Sequence, residues 1–357
     1  MNAAKSDVTS DVTSKLSVPI KLTEWTSCGG CAAKWGASLL TDLVSELASG
    51  AQPKIDPALL VGLVPFDDAA VYQVSEDVAL VSTTDFFPPL VDDPDDFGAI
   101  SAANACSDVF AMGGRVVMAV NIAAFPEHFP REAISIIFAA AARVVVLAGG
   151  TVAGGHTIRN PEPIFGLAVQ GVVDPKKIFR KAGAKAGDVA LLSKPLGTGL
   201  TLAAGTDVEK LVAIAGMRQL NRQASEQLQQ LGGAVHGVTD VTGYGLAGHG
   251  WEMAQRSGVQ LVLDSSAFRT YPGALEAAQR GVRTGGDLRN RTYVEGHFLV
   301  DEKNYDEDAG VALCMDPQTS GGLLAAVSPE AAEKLLQDKM WWRVGEFTAA
   351  SASVRLH

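Results

Sequence analysis

Strand signals and helix signals alternate along this chain in two long runs, separated by a short basic break. In the first run the apolar stretches Ala69–Val74, Val78–Thr84, Val116–Ala124 and Ile164–Val173 read as strands. Between them, Phe97–Met112 and Arg131–Ala148 read as helices, each ended by a glycine pair. The break holds Lys176, Lys177, Arg180, Lys181 and Lys185. After it come a strand at Asp188–Ser193, a helix over Val208–Leu231 and a helix from Gly245 to about Arg256. Strands at Phe298–Val300, Leu323–Val327 and Trp342–Thr348 follow, with a helix over Pro329–Lys339. Alternation of this kind lays helices on sheets, so each half is expected to be a mixed α/β layer structure. A chain of 357 residues is long enough for two such domains. The expected division is 22–175 and 176–357, with the polar residues 1–21 a disordered tail.

Composition narrows the function. Apolar residues make up 47% of the chain, enough for a large core, and the net charge is −11. An acidic surface argues against a nucleic-acid partner, which needs basic residues on one face. No run of eighteen apolar residues exists to span a membrane, and the N-terminus has no apolar signal segment. Four cysteines in so long a chain are no disulfide framework. A reducing, cytoplasmic setting is the default expectation.

Two features carry chemistry. The first is Ser27-Cys28-Gly29-Gly30-Cys31-Ala32-Ala33-Lys34, a glycine-bent loop followed by a helix signal over Trp35–Ser49. A nearby ammonium lowers a thiol's pKa, so Cys31 and Lys34 read as a nucleophile and its electrostatic partner. The CxxC spacing also allows a redox dithiol or half of a zinc site, although no second CxxC or CxxH pair exists. Cys106 and Cys314 read as inert core residues. The second feature is a set of aspartates near element ends: Asp67, Asp68, Asp85, Asp108 and Asp240. Carboxylates on separate elements can hold magnesium and, through it, phosphates. Turn and cap roles are the plain alternative. Asp108 fits that alternative least, because a negative charge near a helix C-terminus opposes the helix dipole. Neither a Walker A pattern nor a GxGxxG after a strand is present, so a bound nucleotide must be held through metal-bridged phosphates. Gly154-Gly155-His156-Thr157 reads as a turn, with His156 a site residue or a structural one, and Lys194 reads as a phosphate contact or, in preference, a solvated strand end.

Several segments together resemble the selenophosphate synthetase (selenide, water dikinase) family. They are Cys31–Lys34, Asp67–Tyr72, Ser82–Phe87, Asn104–Gly114, Ala153–Thr157, Pro161–Ala168, Thr239–Leu246 and Asp316–Leu324. The resemblance runs from about Lys21 to the C-terminus. It implies the two-domain α/β fold of aminoimidazole ribonucleotide synthetase, with an N-terminal ATP- and metal-binding domain that pairs in a homodimer. It implies ATP, selenide and water as substrates, magnesium as cofactor and a potassium requirement, with room for a selenide-delivering protein. Asp68, Asp108 and Asp240 are then the metal ligands and Asp85 a further polyphosphate–metal contact. Asn104 and Gly154, Gly155, His156 and Thr157 are nucleotide-site residues, and Cys31 and Lys34 are the reacting pair. The family usually has a second cysteine just before the lysine. Here Ala33 holds that place and Cys28 lies upstream, where a Cys28–Cys31 disulfide could switch the enzyme off. The runners-up are a small-molecule kinase or synthetase of the same superfamily, and a nonenzymatic thiol or selenium carrier. The Cys31–Lys34 loop and the Thr83–Phe87 stretch favour the selenium enzyme.

Overall fold

The computed structural model describes residues 20–27, 29–30, 56–63, 66–300 and 308–357. Cys28, Cys31, Lys34, the expected helix over 35–49 and residues 1–19 of the expected tail lie outside the described residues. The described chain forms two sheets, and its fold is mixed α/β.

The first sheet holds β1 (Leu59–Val61), β2 (Ala70–Gln73), β3 (Ala79–Phe87), β4 (Arg115–Phe125), β5 (Thr151–Arg159) and β6 (Ile164–Val173). Their spatial order is β1-β2-β3-β6-β4-β5. Only β4 and β5 run parallel, which requires the crossover helix between them. Helices α1 (Pro94–Ala111) and α2 (Arg131–Leu147) cover one face. The start of α1 is written locally. Asp93 accepts from the backbone N–H groups of Asp95 and Asp96, and Pro94 occupies the first turn. Small residues let α1 lie close to α2: a Cβ on Gly98 would sit 2.2 Å from the carbonyl oxygen of Ile137. Alternation along β3 turns Val81, Asp85 and Phe87 inward, towards α1, and leaves Leu80 and Phe86 outward. Among the described residues nothing covers the outer face, which carries the exposed side chains of Tyr72, Leu80, Phe86, Val117, Met118 and Ile158.

The second sheet holds β7 (Val189–Leu192), β8 (Val235–Asp240), β9 (Gln260–Leu263), β10 (Phe298–Val300), β11 (Leu323–Val327), β12 (Trp342–Thr348) and β13 (Ser353–Leu356). Their order is β10-β13-β9-β12-β7-β11-β8, so β8 is an edge strand, and it lies against α1. The helices of this half are α3 (Thr198–Ala204), α4 (Asp207–Met217), α5 (Arg222–Leu231), α6 (Gly245–Ser257), α7 (Ala274–Gln279), α8 (Asp287–Tyr293), α9 (Ala309–Met315) and α10 (Pro329–Leu335).

Three sequence expectations need correction. Val208–Leu231 is not one helix but α4 and α5, broken at Arg218–Asn221. Tertiary contacts win there. Arg218 pairs with Asp95 and Asp96, the carbonyl of Gln219 turns to accept from Lys194, and Asn221 reaches Ser107. Gly154–Thr157 is not a turn but the exposed middle of β5, because the parallel ladder with β4 outweighs the glycine pair. Lys194 is not solvated; it is 4% exposed.

Candidate active site

The aspartates converge. Asp68 lies on the loop before β2, Asp108 in the last turn of α1, and Asp240 at the end of β8. One carboxylate oxygen from each lies within 4.8 Å of the others. Two of them are placed by a neighbour. The Thr83 hydroxyl on β3 donates to Asp108 Oδ2 at 2.5 Å, and the Thr239 hydroxyl on β8 donates to Asp68 Oδ1 at 3.0 Å. Thr83 and Asp85 are two residues apart on a strand and share its face. Asn104 and Asp108 are four apart on a helix and share its face. Hence Asn104 donates its amide to Asp85 Oδ2 beside the Thr83–Asp108 contact.

Crowded, buried carboxylates resist ionisation. Burial and the neighbouring charges of Asp240 and Asp67 outweigh Lys181 and raise Asp68 well above the ordinary carboxylate range. Burial, with the charges of Asp240, Asp85 and Asp68, does the same to Asp108. Asp68 Oδ2 and Asp240 Oδ2 are buried without a hydrogen-bond partner. Two acceptor oxygens left bare inside a protein are costly unless something cationic meets them. An all-oxygen set of this kind suits a hard divalent cation.

On its far side, Asp68 is held by the basic connector. Lys181 Nζ lies 2.9 Å from Asp68 Oδ1 and 2.8 Å from Glu252 Oε2 on α6. Burial opposes the charge on Lys181, but the two carboxylates prevail and hold its pKa well above the usual lysine value. Tyr293 donates to Glu252 Oε1 at 3.2 Å, and His249 Nδ1 is 3.5 Å from Oε2. Burial opposes the charge on Glu252 as well, yet Lys181 and His249 keep it ionised far below the usual range. Asp67 accepts from the Lys181 backbone N–H at 3.2 Å. Lys181 and Glu252 give no sign of this in the sequence, where one sits in a run of surface-like basic residues and the other in the middle of a helix.

The stem of the Cys31–Lys34 loop docks next to this site. Thr26 and Ser27 donate to the two carboxylate oxygens of Glu162 at 2.9 and 3.1 Å. Gly30 donates to the carbonyl of Pro88 at 2.9 Å, three residues beyond Asp85. Cys31 and Lys34 follow Gly30 by one and four residues, within about 14 Å of extended chain. A cavity of about 430 Å³ opens here, lined by Thr26, Ser27, Pro89, Thr198, Arg283 and Thr319. Gly154, Gly155, His156 and Thr157 are not brought in. β5 is three strands from β3, about 14 Å at ordinary strand spacing. Cys106 and Cys314 are buried, and burial together with Asp108 pushes the Cys106 thiol up to about 12, so neither is a nucleophile.

The geometry has close relatives. Residues 66–173 match the N-terminal domain family of AIR synthase related proteins, and residues 185–357 match the corresponding C-terminal domain family. The selenide, water dikinase of Caldanaerobacter subterraneus subsp. tengcongensis is 43% identical over 88% of this chain and 90% of its own. That of Clostridioides difficile is 42% identical over 89% and 91%, and that of Myxococcus xanthus 42% over 89% and 90%. The chain belongs to the selenide, water dikinase family. Solved structures show the same fold at lower identity. The thiamine monophosphate kinase of Aquifex aeolicus superposes with a TM-score of 0.63 at 17% identity, covering 89% of this chain and 95% of its own. A hydrogenase maturation protein HypE solved in complex with ATP has a TM-score of 0.58 at 18% identity, covering 85% and 87%. No helix among the described residues is long and apolar enough to cross a membrane.

Proposed function

We infer that the chain makes selenophosphate from selenide, ATP and water, releasing AMP and phosphate. Family membership supports this reading. The observation that carries it is the junction of Asp68, Asp108 and Asp240 from both halves of the chain, with two buried oxygens bare. These three residues would hold magnesium, with Asp85 alongside as a further contact. Magnesium bound there neutralises the polyphosphate and stabilises charge that develops on the transferring phosphoryl group. A potassium requirement belongs to the same reading. Thr83, Thr239 and Lys181 keep the carboxylates in place before the nucleotide arrives. Lys34 brings positive charge to the transferring group, and Cys31 handles the selenium. Both extend from a stem that Glu162 and Pro88 fix at the mouth of the cavity. Asn104 supports the nucleotide site.

The working unit in this reading is a homodimer joined through the uncovered face of the first sheet. Apolar side chains at Phe86 and Ile158, 49% and 54% exposed, need a cover. Pairing also explains why Gly154–Thr157 lie far from the cluster of their own chain: the second copy's strand delivers them. We read the domains as dividing at 176–185 and place the enzyme in the reducing cytoplasm, where selenide persists or is handed over by a delivering protein.

The deciding experiment is anaerobic turnover of ATP with magnesium, with and without selenide. AMP that appears only with selenide supports the dikinase. ADP supports a kinase or synthetase, and no turnover supports a carrier.

A further inference from the structure

Ser320 is the one non-glycine residue among the described residues with a positive φ, 50°. It is 1% exposed, in the turn between α9 and β11. A side chain in the left-handed region is disfavoured, so its surroundings must hold it there. Lys194 supplies the hold. Its Nζ donates to the carbonyl of Ser320 at 2.8 Å, to the Ser320 hydroxyl at 3.4 Å and to the carbonyl of Gln219 at 2.6 Å.

The turned backbone is put to use. The N–H of Ser320 donates to Asn104 Oδ1 at 2.7 Å, and the amide of Asn104 donates onward to Asp85. Both ends of the Asn104 side chain are therefore engaged inside the protein. One residue later, Asn221 donates to the carbonyl of Gly321 and to the Ser107 hydroxyl, each at 2.8 Å. The carbonyl of Gly322 accepts from the N–H of Val241, the neighbour of Asp240. A Cβ on Gly321 would lie 1.9 Å from the carbonyl oxygen of Val241. The turn thus fills the space between the end of β8, which carries Asp240, and the α1 face that carries Asn104, Ser107 and Asp108.

We propose that Lys194 and Ser320 are positioning residues for the polyphosphate site, holding a left-handed turn whose N–H orients Asn104 and, through it, Asp85. The assignment rests on the reading that Asp85 meets the metal-bound polyphosphate. Neither residue touches substrate. Lys194 props the turn, the turn sets Asn104, and Asn104 fixes the carboxylate.

The test compares Lys194→Met, Lys194→Arg and the double variant Lys194→Met/Ser320→Gly with the parent. Readouts are kcat and KM for selenide-dependent AMP formation and the magnesium concentration that gives half the maximal rate. Misplacing a site group by an ångström costs up to about 10²-fold in rate. Lys194→Met should lower kcat by about 10- to 100-fold and raise the half-saturating magnesium concentration. Lys194→Arg, whose broad guanidinium cannot meet three acceptors so closely placed, should fall between. Glycine adopts the left-handed conformation unaided, so the double variant should recover most of the loss. Mere loss of folded protein lowers the amplitude without moving the magnesium dependence and is not rescued by glycine. Parent-like kcat and magnesium dependence in Lys194→Met, or a loss that glycine does not restore, overturns the proposal. Magnesium-dependent binding of a nonhydrolysable ATP analogue is measured in parallel. If the parent forms no AMP, the functional reading fails, and the same variants still decide the positioning role through analogue affinity.

Discussion

Replacing Lys181 with methionine removes a charge and keeps the length of the side chain. The side chains of Lys181, Asp68 and Glu252 are 4%, 3% and 2% exposed, with nitrogen–oxygen distances of 2.9 and 2.8 Å. At an effective dielectric constant of 20, each contact is about 6 kcal/mol of direct attraction. The cost of burying the ammonium offsets much of it, and breaking a buried pair of this kind destabilises a protein by about 3–5 kcal/mol. The loss should depend on pH. Asp68 already has a raised folded-state pKa, so the native state keeps protons that the unfolded state releases. Its contribution to metal-free stability is therefore full at low pH and falls as pH rises through the folded-state value. Without Lys181 that value rises further. The deficit of Lys181→Met should widen from acidic to alkaline pH in chelator. Magnesium should narrow it, because a cation on Asp68 Oδ2 replaces part of the missing charge. Urea unfolding at acidic and at alkaline pH, with chelator and with magnesium, measures all of this. A variant within about 1 kcal/mol of the parent under every condition would refute the claim that Lys181 neutralises the cluster.

Cys31→Ser and Lys34→Ala should each abolish selenide-dependent AMP formation while magnesium-dependent binding of an ATP analogue at the aspartates survives; normal turnover in either removes that residue from the reacting pair. Phe86→Glu should charge the uncovered sheet face and yield monomers in sedimentation velocity, with AMP formation lost if the second copy supplies Gly154–Thr157; an unchanged dimer puts the interface elsewhere. Gly321→Ala meets the backbone oxygen of Val241 at 1.9 Å, with no flexible side chain to yield. It should cost at least about 1–3 kcal/mol in urea unfolding and weaken magnesium binding through the shift of Asp240, whereas unchanged stability would show that the turn has slack.

How much of this could be read from the chain depends on how local the cause is. The helix α1 was legible but its start was set late, at Phe97, although Asp93 and Pro94 write it in adjacent residues. The aspartates could be picked out one by one from their places near element ends, with turn and cap roles as the alternative. Asp108 was the clearest, placed where the helix dipole opposes it. Their convergence was not legible from spacing, because Asp68 and Asp240 are 172 positions apart and meet only when β8 packs on α1. Lys194 was misread, and the burial of Lys181 went unread, for one reason. A lysine in a glycine- and alanine-rich connector or at a strand end is normally solvated, and only distant partners such as Glu252 and Ser320 bury it. The break between α4 and α5 has the same origin: its residues are spent on contacts with α1 and Lys194. The glycines of β5 misled in the opposite direction, since a parallel ladder tolerated them.

Charge balance links these parts into one requirement. In the proposed reading a polyphosphate comes to Asp68, Asp108 and Asp240, with Asp85 alongside, and Lys181 is the lysine ion-paired to that cluster among the described residues. That lysine is already shared with Glu252. An approaching triphosphate therefore meets buried carboxyl groups, protonated or anionic, that offer it no net positive charge in a region of low dielectric. Cations must enter with the nucleotide or before it. Because linkage is reciprocal, the factor by which magnesium tightens ATP is the factor by which ATP tightens magnesium. Removing metal should thus abolish nucleotide binding altogether rather than slow turnover alone. Calorimetric titration of an ATP analogue in chelator should show no saturable heat, and measurable binding there would mean that the nucleotide sits away from the aspartates.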